Sequence, residues 1–249
     1  GSNANFALAR YSPTGALDTN FDIDGIVFTP IQSVNAYALA IALQPDGKII
    51  AAGYVNNGPD SDFPVVRYNP NGTLDTTFDG DGIVTTPVQS LADIATSVAV
   101  QPDGKIVVAG SSESPGYDFA VVRYNADGSL DLSFDGDGKV TTPVLSLDDK
   151  AYSVLIQPDG KIVAIGTAIT SGPTHDIAAV RYNSNGSLDN SFSGDGKVTV
   201  PASPSDDQAR TGALQPDGKI LAAGNYFAGP NGGFSLVRFN ADGTLDPAF

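Results

Sequence analysis

Cysteine, methionine and tryptophan are missing from this 249-residue chain, histidine occurs once, and of 28 acids only Glu113 is a glutamate. Without cysteine there is no disulfide, no thiol nucleophile and no cysteine-ligated zinc. A single imidazole, His175, excludes metal centres built on several histidines. It also leaves one residue to serve any nucleophilic dyad or triad, and a lone histidine in a variable segment reads as a surface residue. No apolar run reaches eighteen residues, so no helix is expected to span a membrane. Basic residues are scarce, and 13 Lys and Arg leave a net charge of −15. That balance disfavours nucleic acid as a partner. Glu favours helix interiors, whereas the short Asp side chain bonds nearby backbone amides and favours turns. An acid pool made almost wholly of Asp therefore implies many tight turns and little helix. The chain does not open on Met, which reads as an excerpt or a processed form.

What is present is repetition. The string QPDGK begins at Gln44, Gln101, Gln157 and Gln215, and an Arg-aromatic string ending in Gly-x-Leu-Asp begins at Arg10, Arg67, Arg123, Arg181 and Arg238. A third string, x-D-G-[IK]-V, carries Asp24, Asp81, Asp137 and Asp195. All three return after about 57 residues, the mark of a repeat architecture. One unit, from Ala95 to Val144, reads as four strands. ATSVAVQ runs into a Pro102-Asp103-Gly104 hairpin turn. KIVVAG is a continuous apolar run suited to burial on both faces. DFAVVRYN and GKVTTPV complete the set. Four-stranded antiparallel meanders with doubly buried inner strands predict an all-β fold, a β-propeller with four blade repeats and a partial one. The phase gives two strands, three full sets of four, then three more. Residues 1–249 form one propeller or a segment of a longer array; the surplus strand fits a cut from a longer array, or edges satisfied by another chain through self-association.

QPDGKI, VVRYN followed by [DN]-G-[ST]-L-D, and the FDGDG turn together resemble the bacterial delta-60 repeat family, over essentially the whole chain. The resemblance implies a β-propeller, an extracellular or cell-surface location, and no assigned catalytic residues. Ser193 in place of the first Asp of DGDG, and Phe239 in place of Tyr, depart from the pattern.

Antiparallel topology sorts the connections onto two faces. The repeated turns share one. The segments that vary between repeats share the other, including Tyr54 to Asp62, Ser111 to Asp118, Thr167 to Asp176 and Asn225 to Gly233. Variable loops on a rigid scaffold are where recognition is expected. The binding-face candidates are Tyr54, Asp60, Tyr117, Asp118, Asp148, Asp149, His175, Asp206, Asp207, Tyr226 and Phe227, facing a protein or carbohydrate surface ligand. The alternatives are a purely structural array and a paired-carboxylate polysaccharide hydrolase or lyase, for which no single pair stands out. No cofactor is expected. Calcium is the one metal the composition suggests, through Asp79, Asp81, Asp135 and Asp137, although the full ligand spacing and terminal Glu are missing. Each third-strand Arg is expected to bond the Asp eight residues on: Arg67 with Asp75, Arg123 with Asp131, Arg181 with Asp189 and Arg238 with Asp246.

Overall fold

The computed structural model describes residues 3–58, 60–171, 174–203, 206–228 and 231–249. Those residues form seventeen strands and no helix. A two-stranded sheet, β1 (Phe6–Ala9) and β2 (Ile26–Thr29), comes first. Three four-stranded sheets follow: β3 (Ala36–Leu43), β4 (Ile49–Asn56), β5 (Ser61–Tyr68) and β6 (Ile83–Thr86); β7 (Asp93–Val100), β8 (Ile106–Glu113), β9 (Tyr117–Tyr124) and β10 (Lys139–Thr142); β11 (Asp149–Ile156), β12 (Ile162–Ser171), β13 (Thr174–Tyr182) and β14 (Lys197–Val200). The last sheet has three strands, β15 (Asp206–Leu214), β16 (Ile220–Ala228) and β17 (Asn231–Phe239). Every pairing is antiparallel between chain neighbours, so each sheet is a meander.

QPDGK makes the first turn in each full sheet. In the second sheet the Gln101 amide bonds the Lys105 carbonyl at 2.8 Å and the Gly104 amide bonds the Gln101 carbonyl at 2.9 Å. Beyond the turn, Ile106 to Ser112 is a wholly buried run. It is buried because the second and third strands are covered on both sides by neighbouring sheets. One core joins Ile50, Phe63 and Val65 of the first full sheet to Val98 and Val108 of the next. Another joins Phe119 and Val121 to Val154 and Ala164. First strands of successive sheets lie side by side, whereas no fourth strand packs extensively on another. Sheets that converge at their first strands and fan out at their fourth are propeller blades.

A bulge shapes each first strand. The register between β7 and β8 slips at Ala95/Ser97, and the same slip occurs at Ala38/Ala40, Ala151/Ser153 and Ala209/Thr211. Opposite each slip stands a glycine. A Cβ on Gly110 would lie 1.9 Å from the Ile94 carbonyl oxygen, so only glycine admits the bulged strand that close.

One feature departs from the sequence reading. The variable segments between second and third strands are short hairpins rather than loops, because the ladder runs on to pairs such as Glu113↔Tyr117 and Ile169↔His175. Tyr54, Tyr117, His175, Tyr226 and Phe227 therefore sit on strands. As the surplus strand led one to expect, the end strands keep a free edge: among the described residues β1 pairs only with β2, and β17 only with β16.

Candidate functional site

The face with the repeated turns is closed by a lattice of polar contacts. Arg67 Nε donates to Asp75 Oδ2 at 2.7 Å, Arg123 to Asp131 at 2.6 Å, and Arg181 to Asp189 and Arg238 to Asp246 at 2.7 Å each. The QPDGK lysine reaches the same oxygen from the other side, Lys48 to Asp75 at 2.9 Å and Lys105 to Asp131 at 2.8 Å. Under each guanidinium lies a phenylalanine, with Arg123 4.6 Å from the centre of the Phe134 ring. Burial alone would raise the carboxyls of Asp75, Asp131 and Asp189. Hydrogen bonds from Lys and Ser or Thr, with the Arg charge, outweigh it and hold them well below the usual range.

The same arginines tie neighbouring sheets together. Arg123 donates to the Ser184 carbonyl of the next sheet at 2.6 Å, and Arg10, Arg67 and Arg181 make the equivalent bond to Pro70, Ala126 and Ala241. Beside each runs a backbone bond, Asp79 amide to Asp127 carbonyl at 2.7 Å and Ser193 amide to Asp242 carbonyl at 2.7 Å. Asp79, Asp135 and Ser193 adopt φ of 49°, 50° and 53° to aim that amide. The main chain does the bonding, which is why serine serves at 193 as well as aspartate elsewhere. Of the calcium candidates, Asp81 and Asp137 accept the amides of Ile83 and Lys139 at 2.8 and 2.9 Å. Asp79 and Asp135 are raised by partial burial and by the neighbouring acids Asp81 and Asp137. No group of three or more metal-ligating side chains suited to an ion occurs among the described residues.

The opposite rim holds the binding-face candidates, and two of them need correction. Asp149 and Asp207 are fully buried. Asp149 Oδ2 accepts the amides of Val144 and Leu145 at 2.8 and 2.9 Å, and Asp207 Oδ2 accepts that of Ser203 at 2.7 Å. They fasten the crossing from one sheet to the next, as Asp93 does with Val88 and Gln89. Their neighbours Asp148 and Asp206 point the other way, as alternation along a strand requires. Asp148 accepts the Tyr117 amide at 3.1 Å, and Asp206 accepts the His175 amide at 2.8 Å and faces its Nδ1 at 2.6 Å. These bonds, with the Ser61–Ala92 bridge, set Asp62 beside Asp93, Asp118 beside Asp149 and Asp176 beside Asp207. Burial raises the carboxyls of Asp62, Asp118 and Asp176. Nearby acids raise Asp62 and Asp176 further, through Asp60 and Asp207 respectively. None of the three forms an ion pair among the described residues.

The aromatic candidates differ in availability. Tyr54 stacks on Tyr37 with ring centres 4.8 Å apart, and Tyr117 lies 4.1 Å beneath the Lys150 ammonium. Tyr226 is half-buried, Phe227 is half-exposed, and Asp60 is partly covered. Asp118 and Asp148 border a hollow of about 290 Å³ with Ser114, Pro115 and Leu147.

Sequence reasoning missed three structural partners. The QPDGK lysine is one, and its recurrence 26 to 28 residues before the last Asp of each later Gly-x-Leu-Asp string is the signal that could have found it. Ser97 and Ser153 hydroxyls are another, accepting the Val154 and Gly212 amides of the next sheet at 3.0 and 3.2 Å. The third is a buried bond between sheets, in which Tyr68, Tyr124 and Tyr182 hydroxyls meet Thr29, Thr86 and Thr142 at 2.6, 2.8 and 2.8 Å. Burial pushes the Tyr68 hydroxyl up to about 12, with the Thr29 bond acting against it.

Comparison with known proteins finds the same repeat. The model of a family described as "Domain of unknown function (DUF5122) beta-propeller" matches residues 44–78, 101–134, 157–192 and 215–249, over half of the chain. No curated protein matches the sequence. Among solved structures, a protein of unknown function from Dyadobacter fermentans is similar at 14 % identity and a TM-score of 0.51, over 88 % of this chain and 68 % of that one. Chaetomium thermophilum Sqt1 bound to the N-terminus of the ribosomal protein L10 is similar at 15 % identity and a TM-score of 0.51, over 96 % and 54 %. A polysaccharide lyase, the PL25 ulvan lyase, is similar at 11 % identity and a TM-score of 0.54, over 91 % and 58 %. At these identities the likeness is one of fold.

Proposed function

We propose, for a chain that belongs to the DUF5122 beta-propeller family, a non-enzymatic binding role in which the acidic rim takes up a basic protein segment. One observation carries this reading. Asp62, Asp118 and Asp176 recur at three successive seams, each partly buried beside a second carboxylate and each without an ion pair among the described residues. Placing like charges together in a half-dry site is unfavourable, and a cationic partner relieves it. On the other face Asp75, Asp131, Asp189 and Asp246 are already paired with Arg and Lys, so they offer a cation little. That the carboxylate pairing recurs also favours binding over hydrolysis or elimination, which require one pair unlike the rest. A protein segment is a partner this fold can hold, as Sqt1 holds a ribosomal protein's N-terminus. The resemblance to delta-60 repeats supports action outside the cell or at its surface.

The test is titration calorimetry with an oligo-arginine peptide at low and high salt. Binding is expected at low salt, falling steeply as salt rises. The double change Asp118→Asn and Asp176→Asn is expected to weaken it about tenfold or more, while Asp103→Asn in a QPDGK turn leaves it unchanged. Equal losses from the two variants, or no binding at low salt, would overturn the reading.

A further inference from the structure

Four asparagines in this chain precede a glycine: Asn57, Asn71, Asn185 and Asn231. In such a pair the glycine amide nitrogen can close on the asparagine Cγ, because no Cβ stands in its way. The reaction needs no encounter between molecules, so its rate depends on how freely those two atoms meet. The fold treats the pairs unequally. Asn71 and Asn185 sit in repeated turns, where the Gly72 amide donates to the Asn69 carbonyl at 2.9 Å and the Gly186 amide to the Asn183 carbonyl at 3.0 Å. Their side chains are engaged as well. Asn71 Oδ1 accepts the Thr73 amide and hydroxyl at 3.2 and 2.8 Å, and Asn185 Oδ1 accepts those of Ser187 at 3.1 and 2.8 Å. Asn231 and Gly232 are held in the ladder to β16.

Asn57 and Gly58 lie beyond Asn56↔Ser61, the last rung between β4 and β5. Gly58 is exposed at a φ of 93°, and a Cβ there would meet nothing within 4 Å. Its amide donates no hydrogen bond among the described residues. The Asn57 carboxamide is steadied from the far side, where Nδ2 donates to Asp62 Oδ2. We propose that Asn57 is a self-modifying site, converted to an acid by the Gly58 amide without any enzyme. Gly58 N bonds to Asn57 Cγ, the Cγ–Nδ2 bond breaks, and Nδ2 leaves as ammonia with the proton that Gly58 gives up. Water then opens the five-membered imide at one of its two carbonyls and restores the Gly58 N–H. The product at position 57 is aspartate, or isoaspartate with the main chain rerouted through the side chain. The added backbone carbon falls at the hairpin tip, outside the ladder, so the sheet can carry it. A carboxylate now faces Asp62 where a donor stood, and the first seam of the acidic rim becomes more acidic as the molecule ages. The resulting gain in affinity for a basic segment rests on the binding role proposed above; the conversion does not.

The chain, aged at mildly alkaline pH, is cut with trypsin and mapped by mass spectrometry. Asn57, Asn71 and Asn185 then fall on separate peptides, 49–67, 68–105 and 182–197. Peptide 49–67 is expected to acquire acid about tenfold faster than the other two, whose glycine amides must first give up a hydrogen bond. It should elute as two new species, one for each isomer. In urea the three rates are expected to converge, since the protection belongs to the fold. Gly58→Ala and Asn57→Gln should each slow the conversion about tenfold or more. Equal rates in the folded chain, a difference undiminished in urea, or undiminished conversion in Gly58→Ala would overturn the proposal. Asn57→Asp mimics the product and is expected to bind the oligo-arginine peptide about threefold more tightly at low salt. Unchanged affinity beside intact wild-type binding would overturn the link to the rim, whereas no binding by either chain would sink the basic-segment reading alone.

Discussion

Arg123 shows how much one side chain can be asked to do. It bonds Asp131 within its sheet and the Ser184 carbonyl of the next, and lies over Phe134. Arg123→Met leaves the Asp131 carboxylate buried with only Lys105 to oppose it. Breaking a buried pair of this kind costs about 3–5 kcal/mol, read as a fall in the urea midpoint. Arg238 is the internal control, since it keeps Asp246 but bonds no carbonyl of another sheet among the described residues, and its side chain is 19 % exposed against 4 % for Arg123. Arg238→Met is expected to cost about 1–2 kcal/mol less, the worth of a charged hydrogen bond.

The carboxyls also predict the pH profile. Asp75, Asp131 and Asp189 are held below the ordinary 3.8, and Asp246 is lowered to about 2 by its bonds from Lys219 and the Ala248 amide. Their folded form binds protons less readily than the unfolded form. Their contribution is therefore complete above 3.8 and drains away as pH falls from there through the folded values. Asp93 and Asp149 are raised, mainly by burial, and carry the opposite sign: stability drops as pH climbs through their folded values. The melting temperature is expected to peak near 3.8, decline as pH climbs from there through the folded values of Asp93 and Asp149, and collapse at lower pH. Asp149→Asn should flatten the decline above the peak and leave the acid limb in place.

At the level of the strand, the bulge glycines impose the tightest demand. A Cβ at Gly166 would stand 1.9 Å from the Lys150 carbonyl and 2.7 Å from the Ala151 Cα, both main-chain atoms that cannot swing aside. Gly166→Ala is expected to cost about 3 kcal/mol. Gly160→Ala places a side chain in open space at a φ of +83°, and should cost about 1–2 kcal/mol. Thermal melts of the two variants compare them. The strands themselves were legible in the sequence, because turn residues punctuate every one and the doubly buried runs are unmistakable. The fate of Asp149 and Asp207 was less plain. Each follows another Asp, and an acidic doublet reads as a solvated rim, yet alternation sends one of the two inward. The overlooked signal was position: Asp93, Asp149 and Asp207 all stand eight residues before a QPDGK glutamine. The hairpins taken for loops misled for a different reason, since their residues vary while their backbone ladder continues unchanged.

Contacts between repeats were the least legible, because the spacing within one unit does not reveal what the next unit presents to it. The tyrosine–threonine bond illustrates this. Tyr124 and Thr86 lie 38 residues apart and belong to different sheets, yet both are buried. At the last seam Phe239 replaces the tyrosine and Val200 stands where the others have threonine, and both belong to one apolar core. Read alone, Phe239 is a stray departure. Read with Val200, it is the removal of both partners of a buried bond, a change close to neutral when made together. Tyr124→Phe and Thr86→Val are each expected to cost about 1–3 kcal/mol by stranding the other hydroxyl. The double variant should fall short of their sum by about 1 kcal/mol in denaturant titrations.

Repeats that touch only their neighbours distribute stability along the array, most at the centre and least at unpartnered ends. β8 and β12 lie mid-sheet between two covered faces, whereas β17 is paired on one edge and β1 over four residues. Native-state hydrogen exchange should therefore follow position rather than sequence, since β13 and β17 share a pattern but not a setting. Amides of β17 are expected to exchange at least roughly tenfold faster than those of β13, with β8 and β12 slowest. Uniform protection along the chain would mean that the sheets unfold as one body, and that the open ends cost the fold nothing.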